Sequence, residues 1–156
     1  MDIKIDYLIN HPNLIEEISK YFYSEWGYLY PERSIKEFEV SISERLNLNK
    51  LPLALVAMDQ DKFIGTVCLK EYDMETRNDI TPWLAGLYVK EEFRNKGVGK
   101  ILIDNIIEVA KKMGINTLYL YTPNAKEYYK KFNWSAIDQK DYCGTNFTIM
   151  KKSLQE

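Results

Sequence analysis

Apolar and charged residues alternate at the start of the chain, where Ile3 to Leu8 reads as a short strand. Asn10-His11-Pro12-Asn13 then supplies turn and helix-start chemistry, and Leu14, Ile15, Ile18, Tyr21 and Phe22 recur at helical spacing. Gly27 and Pro31 interrupt that helix. A second is predicted with Ser34 as its N-cap and Glu37 as the other half of a capping box, its apolar stripe being Ile35, Phe38, Ile42 and Leu46. The period changes near Pro52. Leu53 to Met58 and Phe63 to Leu69 are apolar runs joined by Asp59-Gln60-Asp61-Lys62, which predicts an antiparallel hairpin.

A polar loop from Asp73 to Asp79 precedes a further strand, Trp83 to Val89, which runs without a linker into Glu91-Glu92-Phe93-Arg94-Asn95-Lys96-Gly97-Val98-Gly99. From Val98 the residues Ile101, Leu102, Ile106, Val109, Ala110 and Met113 keep a 3.6-residue period. Lys111 and Lys112 fall in the last turn and Gly114 just past it, so this segment is a long helix. Leu118 to Tyr121 reads as a strand and Ala125 to Phe132 as a short helix. The runs around Ile137 and from Thr145 to Met150 read as a closing hairpin. With no repeat, linker or low-complexity segment, residues 1–156 are expected to form one domain.

Composition narrows the function. The 46% apolar content supports a substantial core, and 23 acidic against 21 basic residues lack the basic excess that phosphate-backbone binding leaves. Nucleic acid is therefore not the expected partner, and the small negative balance suits a cationic or neutral amine better than a polyanion. Cys68 and Cys143 lie in alternating runs outside any ligand motif, so neither a zinc site nor a disulfide is expected. Two reduced, part-buried thiols and the absence of a secretory signal point to the cytoplasm, and no apolar run reaches membrane-spanning length.

The chemistry centres on the loop. A strand entering Arg94-x-x-Gly97-x-Gly99 ahead of a long helix presents free backbone N–H groups at the positive end of that helix, which suits a pyrophosphate; the same glycines also serve tight turning alone. A P-loop needs Ser or Thr after the lysine, but Ile101 follows Lys100. A dinucleotide fingerprint needs a third glycine and an early βαβ unit, and neither is present.

Leu87-x-Val89-x-x-x-x-Arg94-x-x-Gly97-x-Gly99 resembles the coenzyme A signature of the GNAT superfamily of N-acetyltransferases. Tyr128-Tyr129-Lys130-Lys131-Phe132-Asn133-Trp134 resembles that family's later tyrosine helix, with Asn133 where glycine is usual. Asn tolerates left-handed backbone well, so it can still end the helix. The resemblance implies an α/β (α+β) fold with a mixed, mostly antiparallel central sheet flanked by helices, and acetyl-CoA as cosubstrate in a splay between the fourth and fifth strands.

Carried over to this chain, Leu87, Tyr88 and Val89 would hold the pantetheine arm, and the Leu87 N–H would polarise the thioester carbonyl. Gly86 would ease the bulge this requires. Arg94, Asn95, Lys96, Gly97, Val98, Gly99 and Lys100 would surround the pyrophosphate. Tyr129 matches the family tyrosine that protonates the departing thiolate, and Thr122 or Asn124 would supply a polar contact after the fifth strand.

The family's strand glutamate has no equivalent among Trp83, Leu84 and Ala85, which leaves Glu71, Asp73, Glu25 or a water as general base. His11, the sole histidine, reads as a solvated turn residue. Tyr21, Phe22, Tyr23, Trp26, Tyr28 and Tyr30 divide between core packing and an amine pocket.

The expected activity is direct transfer of acetyl to a primary amine of a small molecule, peptide or protein, without a metal or an acyl-enzyme. A homodimer is an allowed assembly. The alternatives are a non-catalytic coenzyme A-binding or sensory module, and a protein- or tRNA-directed acetyltransferase.

Overall fold

Each apolar run becomes an element of matching period in the computed structural model, which describes residues 1–155. Strand β1 (Ile3–Tyr7) leads through single 3-10 turns to helices α1 (Ile15–Trp26) and α2 (Ile35–Ser43). Strands β2 (Leu53–Asp59), β3 (Lys62–Lys70) and β4 (Trp83–Val89) follow, then helix α3 (Val98–Lys112), strand β5 (Thr117–Thr122), the short helix α4 (Lys126–Lys130), and strands β6 (Ser135–Tyr142) and β7 (Thr145–Ser153). The sheet order is β1-β2-β3-β4-β5-β7-β6, and every neighbour is antiparallel except the parallel pair β4 and β5. This is the mixed, mostly antiparallel sheet flanked by helices that the resemblance implies.

Alternation along β2 explains the layers. Leu53, Leu55 and Ala57 enter one apolar cluster, while Ala54, Val56 and Met58 enter another on the opposite face. A strand apolar on both faces needs cover on both. Helix α3 covers the first face with Val98, Leu102, Ile103, Ile106, Ile107 and Ala110, and α1 and α2 cover the second with Ile18, Phe22, Phe38 and Ile42. A third cluster, Leu29, Met74, Trp83, Tyr142, Phe147 and Ile149, closes the end of the sheet beyond β4.

Several expectations shift in detail. Ile101 is exposed, because the buried face of α3 centres on Leu102, Ile106 and Ala110, and Ile103 and Ile107 flank that line on its other side. The Ser34 hydroxyl accepts from the Glu37 N–H at 3.2 Å as a cap should. The Glu37 carboxylate, however, meets the Ser34 hydroxyl at 3.4 Å, so only half of the capping box forms. Ile35 is exposed in the first turn of α2, and Leu46 lies beyond its end.

Two further readings are corrected. Cys68 is fully buried and Cys143 exposed, rather than both part-buried. His11 is not a free turn residue: its Nε2 lies 2.9 Å from Asp6 Oδ2, because the 3-10 turns fold the chain back over the end of β1. Burial raises the Asp6 pKa, but the Asn10 amide, the Tyr7 N–H and His11 outweigh it, and the carboxyl ends below its usual value. Among the described residues no helix is long and apolar enough to cross a membrane.

Candidate functional site

Strand β4 changes parity in its middle. Leu84 points into the α3-side cluster and Ala85 into the opposite one, yet Leu87 and Val89 also pack on the α3 side. Strict alternation would put Leu84 and Leu87 on opposite faces. The extra residue is Gly86, at φ +59°, opposite a jump in pairing from Cys68↔Ala85 to Thr66↔Tyr88. This is a β-bulge, and it frees backbone groups near Leu87 from the ladder. On its other side β4 pairs with β5 only at Trp83↔Tyr119, so the two strands diverge toward Leu87 and Thr122.

The glycine loop continues β4. Asn95 (φ 61°) and Gly97 (φ +84°) are left-handed, and α3 begins at Val98 with no side-chain cap. The first N–H groups of α3 are therefore available to an anion. A Cβ added at Gly97 would meet nothing within 4 Å, so the loop is open above that residue.

Its side chains are arranged unevenly. Arg94 turns back, its Nε donating to the Val89 carbonyl at 2.8 Å and its Nη2 to Glu25 at 3.2 Å. It fastens the loop to the strand end and to α1. Lys96 lies beside the Phe93 ring, and Lys100 reaches Asp104 at 2.6 Å and lies over Phe132.

Below the divergence of β4 and β5 lies a cavity of about 230 Å³. Gly86 and Leu87 line it from β4, Thr122 from β5, Tyr129 from α4 and Arg45 from beyond α2. Tyr129 is packed against Trp134 and Tyr128, and burial, with Tyr128 adding, pushes its phenol up to about 12. Asn133, which ends this helix segment, has φ 70°, the left-handed geometry that asparagine tolerates. The Thr122 hydroxyl accepts from the Ala125 N–H at 3.1 Å and so shapes the entry to α4, whereas Asn124 is exposed.

Of the three carboxylates considered as bases, only Asp73 lines the cavity. Glu25 is paired with Arg94, and Glu71 is exposed at the end of β3. Asp73 accepts from Lys70 Nζ at 3.4 Å, and its side chain is 14% exposed. Burial and then its charge push the phenols of Tyr30 and Tyr121 up.

The aromatic segment divides as well. Phe22, Trp26, Tyr28 and Tyr30 line the cavity, Tyr21 stacks on Phe63 and Tyr88 outside it, and Tyr23 is exposed. Cys68 is sealed in the core and burial raises its thiol, which leaves it a poor nucleophile.

Sequence reasoning missed Arg45, Lys70 and Tyr121. Arg45 did leave a signal, because it continues the face of α2 that carries Phe38 and Ile42, a charge where an apolar residue is expected.

Residues 12–134 match the family model described as Acetyltransferase (GNAT) family. A protein of Drosophila melanogaster described as "Probable N-acetyltransferase san" is 26% identical over 112 residues, covering 67% of this chain and 60% of its own length. N-alpha-acetyltransferase 30 of Schizosaccharomyces pombe is 27% identical over 110 residues, covering 70% of this chain and 59% of its own. This chain thus spans about 60% of the length of these two relatives. A crystal structure of aminoglycoside 6′-N-acetyltransferase complexed with coenzyme A superposes with a TM-score of 0.78 at 18% identity, covering 100% of this chain and 98% of that one.

Proposed function

Because this chain belongs to the GNAT acetyltransferase family, we propose that it transfers an acetyl group from acetyl-CoA to a primary amine, directly and within a ternary complex. The observation that carries this reading is the bulge at Gly86. It frees backbone beside Leu87 where β4 leaves β5, between an open anion-binding loop and a buried tyrosine. The relatives named above are described as a probable N-acetyltransferase and an N-alpha-acetyltransferase, and the aminoglycoside enzyme is complexed with coenzyme A, which supports both donor and reaction class.

Acetyl-CoA supplies the acetyl group as a thioester. The N–H groups of Gly97, Val98, Gly99 and Lys100 take the pyrophosphate, with Asn95 giving the loop its left-handed turn and Lys96 and Lys100 adding positive charge. Arg94 acts on the loop through the Val89 carbonyl. Leu87, Tyr88 and Val89 present strand backbone to the pantetheine arm, and the Leu87 N–H donates to the thioester oxygen as negative charge builds on it.

The amine nitrogen attacks the carbonyl carbon, the C–S bond breaks, and the sulfur leaves as thiolate. Tyr129 gives that thiolate its proton. The phenol is protonated at neutral pH, burial raises its pKa further, and the same dry surroundings raise the affinity of the thiolate for the proton. Asp73 takes the proton the amine loses, directly or through a water, since it is the one carboxylate among the described residues that lines the cavity.

Calorimetric titration with acetyl-CoA, with ATP and NAD as controls, followed by thiol release with an amine panel, tests the reading. Binding of acetyl-CoA alone together with amine-dependent thiol release is expected. Binding without thiol release for any amine would favour a sensory module, and no binding would refute the assignment of the loop.

A further inference from the structure

The cavity beside the bulge carries a charge imbalance. Arg33, Arg45 and Lys70 line it against the single carboxylate of Asp73, in a protein whose net charge is −2. Lys70 is already paired with Asp73. Arg33 lies over Tyr30 at 4.2 Å and beside Phe38 at 5.3 Å. Arg45 is the extreme case: it is 8% exposed, and its Nε is buried without a hydrogen-bond partner. Among the described residues its guanidinium takes part in no ion pair.

The Phe22 ring lies 5.6 Å from the Arg45 guanidinium, and a Cβ on Gly86 would come within 3.0 Å of Nη1, which places the guanidinium at the bulge itself. An arginine this buried is ordinarily paired, because leaving the charge uncompensated is costly. The glycine loop does not explain it, since none of residues 94–99 lines this cavity.

We propose that Arg45 anchors a carboxylate-binding subsite in the acceptor half of the cavity, so that the amine this protein acetylates itself carries a carboxylate. The inference rests on the acetyltransfer reading for the word acceptor, but not for the subsite. The planar fork of a guanidinium takes a carboxylate through two parallel hydrogen bonds, and Arg33 adds a second cation on the same wall. Asp73 offers the complementary charge to an ammonium, so the cavity holds a plus and a minus site for one zwitterionic molecule. The aromatic lining of Phe22, Trp26, Tyr28 and Tyr30 suits an acceptor with an apolar body.

Two arms test this on the full chain. In the first, thermal unfolding is followed with 4-hydroxyphenylacetate and with its neutral amide as probes. The acid raises the Tm of the wild type and the amide does not, while neither raises that of Arg45→Met. Without ligand Arg45→Met unfolds no earlier than the wild type, as expected when an unpaired buried charge is removed. In the second, thiol release from acetyl-CoA is compared for tyrosine against tyramine and for tryptophan against tryptamine. The acid of each pair is favoured about tenfold or more, the range of a hydrogen bond to a charged group. The preference vanishes in Arg45→Met and is partly rescued in Arg45→Lys.

Equal responses to acid and neutral partner in both arms would overturn the subsite and leave acetyl transfer standing. Failure of acetyl-CoA to bind would refute acetyl transfer and leave the first arm as the test of the subsite. Discrimination by Arg45 of succinyl-CoA over acetyl-CoA, with none among the amines, would overturn the assignment of the carboxylate to the acceptor.

Discussion

Replacing Gly86 by alanine tests the bulge most directly. The residue sits at φ +59°, where an L side chain is strained by roughly 1–2 kcal/mol. Its new Cβ would also lie 3.0 Å from Arg45 Nη1, 3.4 Å from Cys68 Sγ and 3.5 Å from Phe22 Cζ. Nη1 is the far end of a flexible chain and can withdraw, whereas Cys68 is fixed in the core. Strain of about 1–2 kcal/mol lowers the Tm of a domain this size by roughly 2–8 °C.

Gly114→Ala is the control, because it has φ +80° with nothing within 4 Å and so isolates the backbone effect. Urea unfolding should show Gly86→Ala destabilised at least as much as Gly114→Ala. Acetyl-CoA affinity should fall only in Gly86→Ala, because relief of the strain shifts β4 back toward regular pairing and turns the Leu87 N–H away. Unchanged stability together with unchanged acetyl-CoA affinity in Gly86→Ala would refute the requirement for this conformation.

Tyr129→Phe should lower turnover about a hundredfold or more while acetyl-CoA affinity, read by calorimetry, stays within a few-fold; equal losses in both would remove the proton-donor role. Asp73→Asn should depress amine-dependent thiol release without altering acetyl-CoA binding, and wild-type rates in this variant would leave water as the base. The folded phenols of Tyr121, Tyr129 and Tyr142 titrate above their ordinary value, with burial the leading cause. Their contribution to stability is full below pH ~10, where the unfolded phenols still hold their protons, and is lost as pH rises toward the folded values, about 12 for Tyr129. The urea midpoint should therefore decline above pH ~10, and less steeply in Tyr121→Phe.

The sequence revealed what is periodic and local. Alternation locates β2, β3 and β4, the stripe from Val98 locates α3, and Asn133 is a residue able to take the left-handed turn it adopts. The loop could be read because its glycines, strand and helix are contiguous. Contacts across sequence distance were hidden. Arg94 looks like a phosphate ligand until α1 brings Glu25 to it, and His11 looks free until the chain returns to Asp6. Arg45, Asp73 and Tyr121 share one cavity only because α2, the loop after β3 and β5 converge there. The edges of apolar stripes are ambiguous for a related reason, since Ile101 and Ile103 are equally apolar and only the direction of the sheet decides between them.

The single registered pair between β4 and β5 also divides the sheet in two. Strands β1 to β4 and strands β5, β7 and β6 are each joined by ladders of five to seven registered pairs, whereas the seam between the halves offers little pairing of its own. The halves share the core beneath α3 and the cluster around Trp83, and they part where the donor is expected to lie. A molecule lying along that seam would act as a clasp between two cooperative units, so amide protons of β5 and β7 should exchange more slowly once it is bound, although they lie across the gap from the glycine loop.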